Sequence, residues 1–222
     1  TYILEQGPVL GTRQTVFNLL GQHPEFSRFR DLLEGSDLLE TIHDGRFACS
    51  DTCISVFNNF HYTVYVPTNE SIDKLIADKK LPTWDDVAAL NVENAEQKKL
   101  AEQYTQQIND FLRYHIQDNA IYIGADNTSS LDSSEDGSST TEYETAFIDK
   151  KSKTFNKLAV TTDKAGNSIV IKDKAGNSRR VVTEKAGLFN LMAREYTYST
   201  TDKSKATIIH NSSSAVVHLI DG

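Results

Sequence analysis

The apolar positions of residues 15–42 recur at spacings of three and four, which is the period of a helix. Gly21 and Pro24 divide the segment into two apolar stripes, and Gly35 follows the second stripe. Glycine and proline commonly interrupt helices in this way. The pattern therefore predicts that residues 15–42 form two short helices, each packed through one face. The stripes consist of Val16, Leu19, Leu20, Phe26, Phe29, Leu32 and Leu33.

The stretch "YTVYVPTNESIDKL", which begins at Tyr62, changes from a period of two to a helical period. Its first five residues alternate as in a pleated strand. Pro67 ends the strand because it has no backbone N–H to donate. Thr68 or Asn69 can then cap a helix, and Glu70 lies in the first turn, where the helix dipole favours an anion. The stretch predicts a strand followed directly by a helix.

Two more helices are predicted further along the chain. In "PTWDDVAAL", Thr83 and Asp86 have the spacing of a capping pair at a helix N-terminus. A long helix is predicted from about Val92 to His115, because its apolar residues recur at helical spacing and give it one buried face. That face consists of Leu100, Tyr104, Ile108, Phe111, Leu112 and His115.

Residues 127–144 differ from the rest of the chain in composition. They contain five acidic residues, no basic residue and many serines and threonines. Such a segment buries too little apolar surface to offset its ordering entropy, so the composition predicts a mobile acidic loop. The part from Asp132 to Gly137 is similar to the start of an EF-hand loop, but Tyr143 stands where the bidentate glutamate belongs. A solvated loop is the favoured interpretation, and irregular calcium binding is the alternative.

The hexapeptide "DKAGNS" occurs at residues 163–168 and again at residues 173–178. Each copy lies between β-branched segments and places a glycine where a hairpin turn needs a positive φ. The repeat predicts a three-strand β-meander over residues 157–183. The segment "KATIIHNSSSAVVHLIDG", from Lys205 onward, is predicted to form another strand pair.

Composition and charge narrow the range of functions. The chain is 38% hydrophobic and 24% charged, which is typical of a soluble globular domain. The net charge of −8 gives no reason to expect nucleic acid as a partner, and no apolar run approaches the ~18 residues of a transmembrane helix. Cys49 and Cys53 lack the spacing of a zinc site. A disulfide between them and two free thiols are equally consistent with the sequence.

Three segments in a fixed order carry a resemblance to a known family. The first motif ends a strand with Pro-Thr-Asn-Glu, the second is a Tyr-His pair, and the last is Val-Val-His-Leu-Ile-Asp. In this order the motifs resemble those of the fasciclin family of cell-adhesion domains. The matching residues are Val64, Val66, Pro67, Thr68, Asn69, Glu70, Tyr114, His115, Val216, Val217, His218, Ile220, Asp221 and Gly222.

The resemblance implies an α+β fold in which residues 1–222 form a single wedge-shaped domain. A β-sandwich-like sheet would be flanked by helices, with the first and last motifs in neighbouring central strands. The segment between the Tyr-His pair and the last motif is longer than is usual in the family, so the acidic loop and the meander are interpreted as an insertion. The integrin-binding motifs of animal members are not present, so integrin binding is not carried over.

The two motif histidines invite a functional role, since the Tyr-His pair has been linked to adhesion in the family. His115, however, is predicted on the apolar face of the long helix, and His218 lies between apolar residues of a strand. Buried imidazoles are usually hydrogen-bonded parts of the core. A structural role is therefore favoured for both histidines.

The sequence offers no catalytic motif. It has no G-x-S-x-G elbow, no H-E-x-x-H and no glycine-rich phosphate loop, and no cofactor or metal is predicted. The resemblance implies a non-enzymatic adhesion or recognition module, extracellular or on the cell surface, and a bacterial surface protein fits it. The alternative is a surface hydrolase, or another enzyme acting on extracellular polymers, with dispersed cleft residues.

Basic residues are concentrated in the segment Ile148–Lys185. It contains ten lysines or arginines and four acidic residues, a net charge of +6, so the remainder carries −14. Such asymmetry can steer an anionic partner, for which an acidic polysaccharide or an acidic protein face is predicted. The alternative is a solvated ribbon whose lysines only keep an exposed edge soluble. The predicted contact residues are Lys164, Lys174, Arg179 and Arg180.

Overall fold

A computed structural model describes residues 14–43, 47–54, 61–124, 138–163, 167–199 and 209–222. For residues 40–43, 47–54, 195–199 and 209–213 it describes the backbone alone. Within these ranges the chain forms five α-helices, a short 3-10 turn and ten strands. None of the helices in the described ranges is long and apolar enough to cross a membrane.

Most of the helices begin at a side-chain cap that the sequence supplies. Thr15, Thr68, Thr83 and Asn94 each accept a hydrogen bond from a backbone N–H of the first turn. Thr83 and Asp86 form the predicted capping box. The helices are α1 (Val16–Gly21), α2 (Ser27–Glu34), α3 (Asn69–Ala77), α4 (Trp84–Ala88) and α5 (Ala95–Tyr114), and the 3-10 turn (Pro24–Phe26) precedes α2.

The strands form one curled ten-stranded sheet in the order β1-β2-β9-β10-β3-β4-β5-β6-β7-β8. Among the described strands, β3 and β10 pair in parallel and the other neighbours pair antiparallel. The strands are β1 (Leu39–His43), β2 (Phe47–Ile54), β3 (His61–Val66), β4 (Ile116–Asp118), β5 (Ser139–Ile148), β6 (Phe155–Thr162), β7 (Ile169–Lys172), β8 (Ser178–Arg180), β9 (Leu191–Ser199) and β10 (Ile209–Leu219).

The parallel pair β3–β10 is buried on both faces. Val64 of β3 and Val217 of β10 belong to a core that also contains the apolar faces of the helices. On the other face, Tyr65 packs with Ile220, just after β10, in a second core that contains the apolar side chains of β6 and β7. The first and last motifs are therefore neighbouring central strands, as the resemblance implied.

The sheet curls until the end of the meander meets the end of β10. Val181 forms a β-bridge with Ile220, and the N–H of Val182 donates to the Leu219 carbonyl at 2.9 Å. The N–H of Asp221 donates to the Arg180 carbonyl at 3.0 Å. This closure produces the β-sandwich-like sheet with helices on one side, so the predicted α+β fold is confirmed.

Three local predictions were wrong. Residues 39–43 are strand β1 and not helix, because α2 ends at Glu34 and the chain then pairs with β2. Residues 139–144 are not loop but the start of β5, because they pair with β6 residue by residue. Residues 209–219 form one strand, β10, and its partner β9 lies upstream of the segment predicted as a strand pair.

Other predictions lie outside the described residues. These are the acidic loop over residues 127–137 with its calcium alternative, the first turn glycine at position 166, and Lys164. The backbone of β2 contains Cys49 and Cys53, but their side chains are outside the described part. The second repeat is described, and its Gly176 has a φ of 90°, as its turn requires.

Candidate partner-binding site

The corner after β3 is fixed by the polar residues of the first motif. The Thr68 Oγ1 accepts from the Ser71 N–H at 3.2 Å and caps α3. The Asn69 side chain does not cap this helix but binds the segment before α2. Its Nδ2 donates to the Pro24 carbonyl at 2.9 Å, and its Oδ1 accepts from the Arg28 N–H at 3.1 Å. The first motif thus joins β3, α3 and α2, while Glu70 is exposed in the first turn of α3.

His115 follows the last residue of α5 and is its C-cap. Its Nδ1–H donates to the Phe111 carbonyl at 2.7 Å, and its own carbonyl accepts from the Tyr65 N–H at 2.9 Å. The ring is half-buried and contacts the rings of Phe111 and Tyr114, with centroids at 4.4 and 5.8 Å. Burial lowers the pKa of His115 to about 4, so the imidazole is neutral at neutral pH.

His218 is fully buried on β10, opposite Tyr65 of β3. Its Nδ1 accepts from the Asn190 N–H at 3.1 Å, and its Nε2–H donates to the Ile121 carbonyl at 2.8 Å. Burial lowers its pKa to about 4. The ring stacks at 6.2 Å on Tyr65, whose hydroxyl donates to Gln117 Oε1 at 3.0 Å. Both ring nitrogens are therefore occupied by groups of the fold.

A cavity of about 400 Å³ lies where the first motif, the Tyr-His pair and the meander meet. Helix α3 contributes Leu75, and α5 contributes Phe111. The meander contributes Leu158 and Ile171, and the last motif contributes Ile220. The volume is within the range of small-ligand sites. Residues from distant parts of the chain thus form one apolar concave surface.

Asp173 and Asn177, in the turn between β7 and β8, are two of the polar residues that line the cavity. Partial burial disfavours the charged form of Asp173, but hydrogen bonds from the Asn177 side chain and N–H outweigh it and lower the carboxyl pKa. Burial and the nearby Asp173 charge raise the pKa of Tyr114 to about 12, so its phenol stays protonated. Arg179 of β8 also lines the cavity, as do the polar residues Ser71 and His115.

The structure separates the predicted basic residues. Arg179 is opposite Ile171 on β7, whereas Arg180 is opposite Val170, so the two side chains lie on opposite faces of the meander. Arg180 forms ion pairs with Glu184 at 2.7 Å and with Asp221 at 3.5 Å. Asp221, the acidic residue of the last motif, also accepts from the Arg180 N–H at 2.9 Å.

Lys174 and Arg179 are the predicted basic residues that lie near the cavity. Lys174 is exposed in the turn beside Asp173. Arg179 Nη1 donates to the Ser178 carbonyl at 2.8 Å, and a Cβ at Gly222 would overlap the Arg179 side chain. Because Gly222 has no side chain, the Arg179 side chain can pack against the backbone at this position. This pair of cations remains the predicted contact site.

The described side chains define the chemical groups that the site offers. Among the described side chains, no serine, threonine or cysteine is hydrogen-bonded to a histidine. The described residues also include no group of three metal-ligating side chains. The cavity offers apolar walls, a phenol and a guanidinium, which are groups that hold a ligand.

The residues that form the cavity walls are not predicted as one surface by the sequence. Phe111 lies on the predicted buried helix face and Ile171 in the predicted meander, but no sequence pattern relates the two. The available signal was the DKAGNS repeat, since its second copy supplies Asp173 and Asn177 beside the Tyr-His pair. The repeat predicts the turn, but it does not predict that the turn lies beside the Tyr-His pair.

Comparison with known proteins yields one family. The sequence matches the Fasciclin domain family over residues 24–222. No curated protein and no solved structure shows significant similarity to the chain. The match includes all three motifs and the meander.

Proposed function

Because the chain belongs to the fasciclin family, whose domains are generally non-enzymatic cell-adhesion modules of extracellular or surface proteins, we propose that it is an adhesion or recognition module. It acts at the cell surface or in the extracellular space and binds an acidic partner, either a protein or a polysaccharide. The contact surface consists of the cavity and the adjoining turn between β7 and β8.

The observation that carries the proposal is the position of the cavity. The Tyr-His pair of the family forms one wall, and the meander of the long insertion forms the other. A partner in the cavity would contact both the family motif and the part of this chain that is longer than is usual in the family. Surface concavities with apolar walls and a few polar groups are typical binding sites.

Charge supports an acidic partner. The segment Ile148–Lys185 has a net charge of +6 on a chain of −8. Arg179 lines the cavity and Lys174 lies in the adjoining turn, and neither forms an ion pair with another described residue, whereas Arg180 is paired with Glu184 and Asp221. Basic groups at a binding site raise the rate of encounter with an anionic partner and make it salt-dependent.

The test is adhesion of beads coated with the domain to surfaces of chondroitin sulfate or polyglutamate. We expect the wild type to adhere to at least one surface and to detach as salt is raised from low to physiological strength. The double variant Lys174→Glu, Arg179→Glu should lose adhesion. The matched control is Lys150→Glu, Lys151→Glu, which makes the same charge change in the exposed turn between β5 and β6.

The melting temperatures of both double variants should stay close to that of the wild type, because all four side chains are exposed. Adhesion that is unchanged in Lys174→Glu, Arg179→Glu, or that is insensitive to salt, contradicts the proposed contact surface. Equal loss in both double variants would show that only the overall charge matters.

A further inference from the structure

The lining of the cavity restricts the chemistry of its occupant. Most of the wall is apolar, and it includes the aromatic rings of Phe111 and Tyr114, which both contact the His115 ring. An aromatic side chain buries a large apolar area and packs well against other rings, edge to face or offset. A cavity of about 400 Å³ can accept such a side chain. The walls therefore favour an apolar anchor over a fully polar ligand.

The charges at the cavity favour acidic groups beside that anchor. Arg179 is the only cationic side chain in the described lining, and Lys174 is exposed in the neighbouring turn. The Asp173 carboxylate also lines the cavity and keeps its negative charge, but its oxygens accept hydrogen bonds from Asn177, so Arg179 and Lys174 are the groups available to an anion. His115 and Tyr114 are neutral at neutral pH because burial lowers the pKa of the first and raises that of the second.

We propose that the cavity binds a short acidic peptide segment of a partner protein, with one aromatic side chain inserted between α5 and the meander and a flanking carboxylate on Arg179. This inference rests on the proposed function and specifies its partner. A polysaccharide fits less well, because sugar hydroxyl groups against the walls formed by Leu75, Leu158 and Ile171 would lose hydrogen bonds to water.

The experiment measures binding of three acetylated, amidated pentapeptides by isothermal titration calorimetry. Their sequences are EEFEE, EEAEE and KKFKK, so one pair differs in the aromatic anchor and the other in the flanking charge. We expect EEFEE to bind and each of the others to bind roughly tenfold more weakly or worse, since buried aromatic anchors carry much of the energy of an interface.

Two variants locate the peptide. Leu75→Trp fills the cavity and should abolish binding of EEFEE, whereas Lys74→Trp adds the same side chain at the preceding, exposed position and should not. Arg179→Gln should weaken binding roughly fivefold and reduce its salt dependence. Lys172→Gln is the control for charge, because this exposed side chain lies on the opposite face of β7 from Ile171. Thermal melting of each variant verifies that it is folded.

The outcomes of these experiments distinguish a peptide ligand from a saccharide and from a second copy of the chain. Equal binding of EEFEE and EEAEE, or binding that survives in folded Leu75→Trp, overturns the inference. If chondroitin sulfate binds and Leu75→Trp abolishes that binding while no peptide binds, the cavity belongs to a saccharide, and the adhesion function stands with a different ligand. Self-association of the wild type that Leu75→Trp removes would assign the cavity to a second copy of the chain. If Lys174→Glu, Arg179→Glu loses adhesion while Leu75→Trp leaves adhesion unchanged, this inference fails and the proposed function stands.

Discussion

Protonation of His218 should couple folding to pH, because the folded state has no place for a second proton on the ring. Nδ1 accepts from the Asn190 N–H, and Nε2–H donates to the Ile121 carbonyl. A proton on Nδ1 would oppose the Asn190 donor inside the core, so burial holds the pKa at about 4. The ordinary value of 6.5 applies to the unfolded chain. Between these values the unfolded chain binds more protons, so stability falls as pH falls.

The magnitude follows from the two pKa values. Each pKa unit corresponds to about 1.4 kcal/mol. The contribution of His218 to the free energy of unfolding is complete above pH 6.5, falls by about 2 kcal/mol by pH 5, and falls by about 3 kcal/mol by pH 4. Below pH 4 both states are protonated and the loss levels off.

The variant His218→Gln isolates this effect because it has no titrating group at the position. At pH 7 it should be less stable than the wild type by about 1–3 kcal/mol, since the Asn190 N–H loses its buried acceptor. From pH 7 to pH 5 the wild type should then lose about 2 kcal/mol more than the variant. His115 and the carboxylates titrate in both proteins, so their effects cancel in the comparison.

Urea unfolding followed by far-UV circular dichroism at pH 7, 6, 5 and 4.5 measures the difference. The free energies of unfolding of the two proteins should converge as pH falls. Parallel curves for wild type and His218→Gln would refute the reasoning, because they would show that His218 has the same proton affinity in the folded and unfolded states.

Four further changes test the packing of the helices and turns, each by urea unfolding at pH 7. Asn69→Ala removes the hydrogen bonds that join the first motif to the start of α2, and should cost about 1–2 kcal/mol. Gly35→Ala places a Cβ 2.6 Å from the Trp84 ring and should cost about 1–3 kcal/mol, whereas Gly21→Ala meets only the flexible Arg30 side chain and should be nearly neutral. Gly176→Ala, at a φ of 90° in open space, should cost about 1 kcal/mol through backbone strain alone.

Elements with a local signal could be predicted from the sequence. The Pro67 strand end, the Thr83 capping box and the helical period of α5 depend on residues within a few positions of each other. The Gly176 turn likewise follows from the preference of glycine for a positive φ. Such features depend on local interactions and not on the fold of the rest of the chain.

Elements that depend on distant partners could not be predicted. The polar start of β5 resembles a loop in composition, yet Ser139 and Thr162 are buried as cross-strand partners. The cavity likewise unites α3, α5 and the meander, which are brought together only by the closure of Val181 on Ile220. The charge of the segment predicts one contact site for Arg179 and Arg180. Successive side chains of a strand lie on opposite faces, however, so β8 separates the two.

The parallel pairing of β3 with β10 sets the order in which the domain can be completed during synthesis. Val66 pairs with Leu219, about 150 residues later in the chain, and both cores depend on this pair. Until β10 has left the ribosome, Val64 and Tyr65 lack their neighbours, and the edge of β3 is free to pair with other chains. Because the central contact is so distant in sequence, we expect folding to be slow. A domain built in this way should fold more slowly than a helical bundle of the same size, in which most contacts are local.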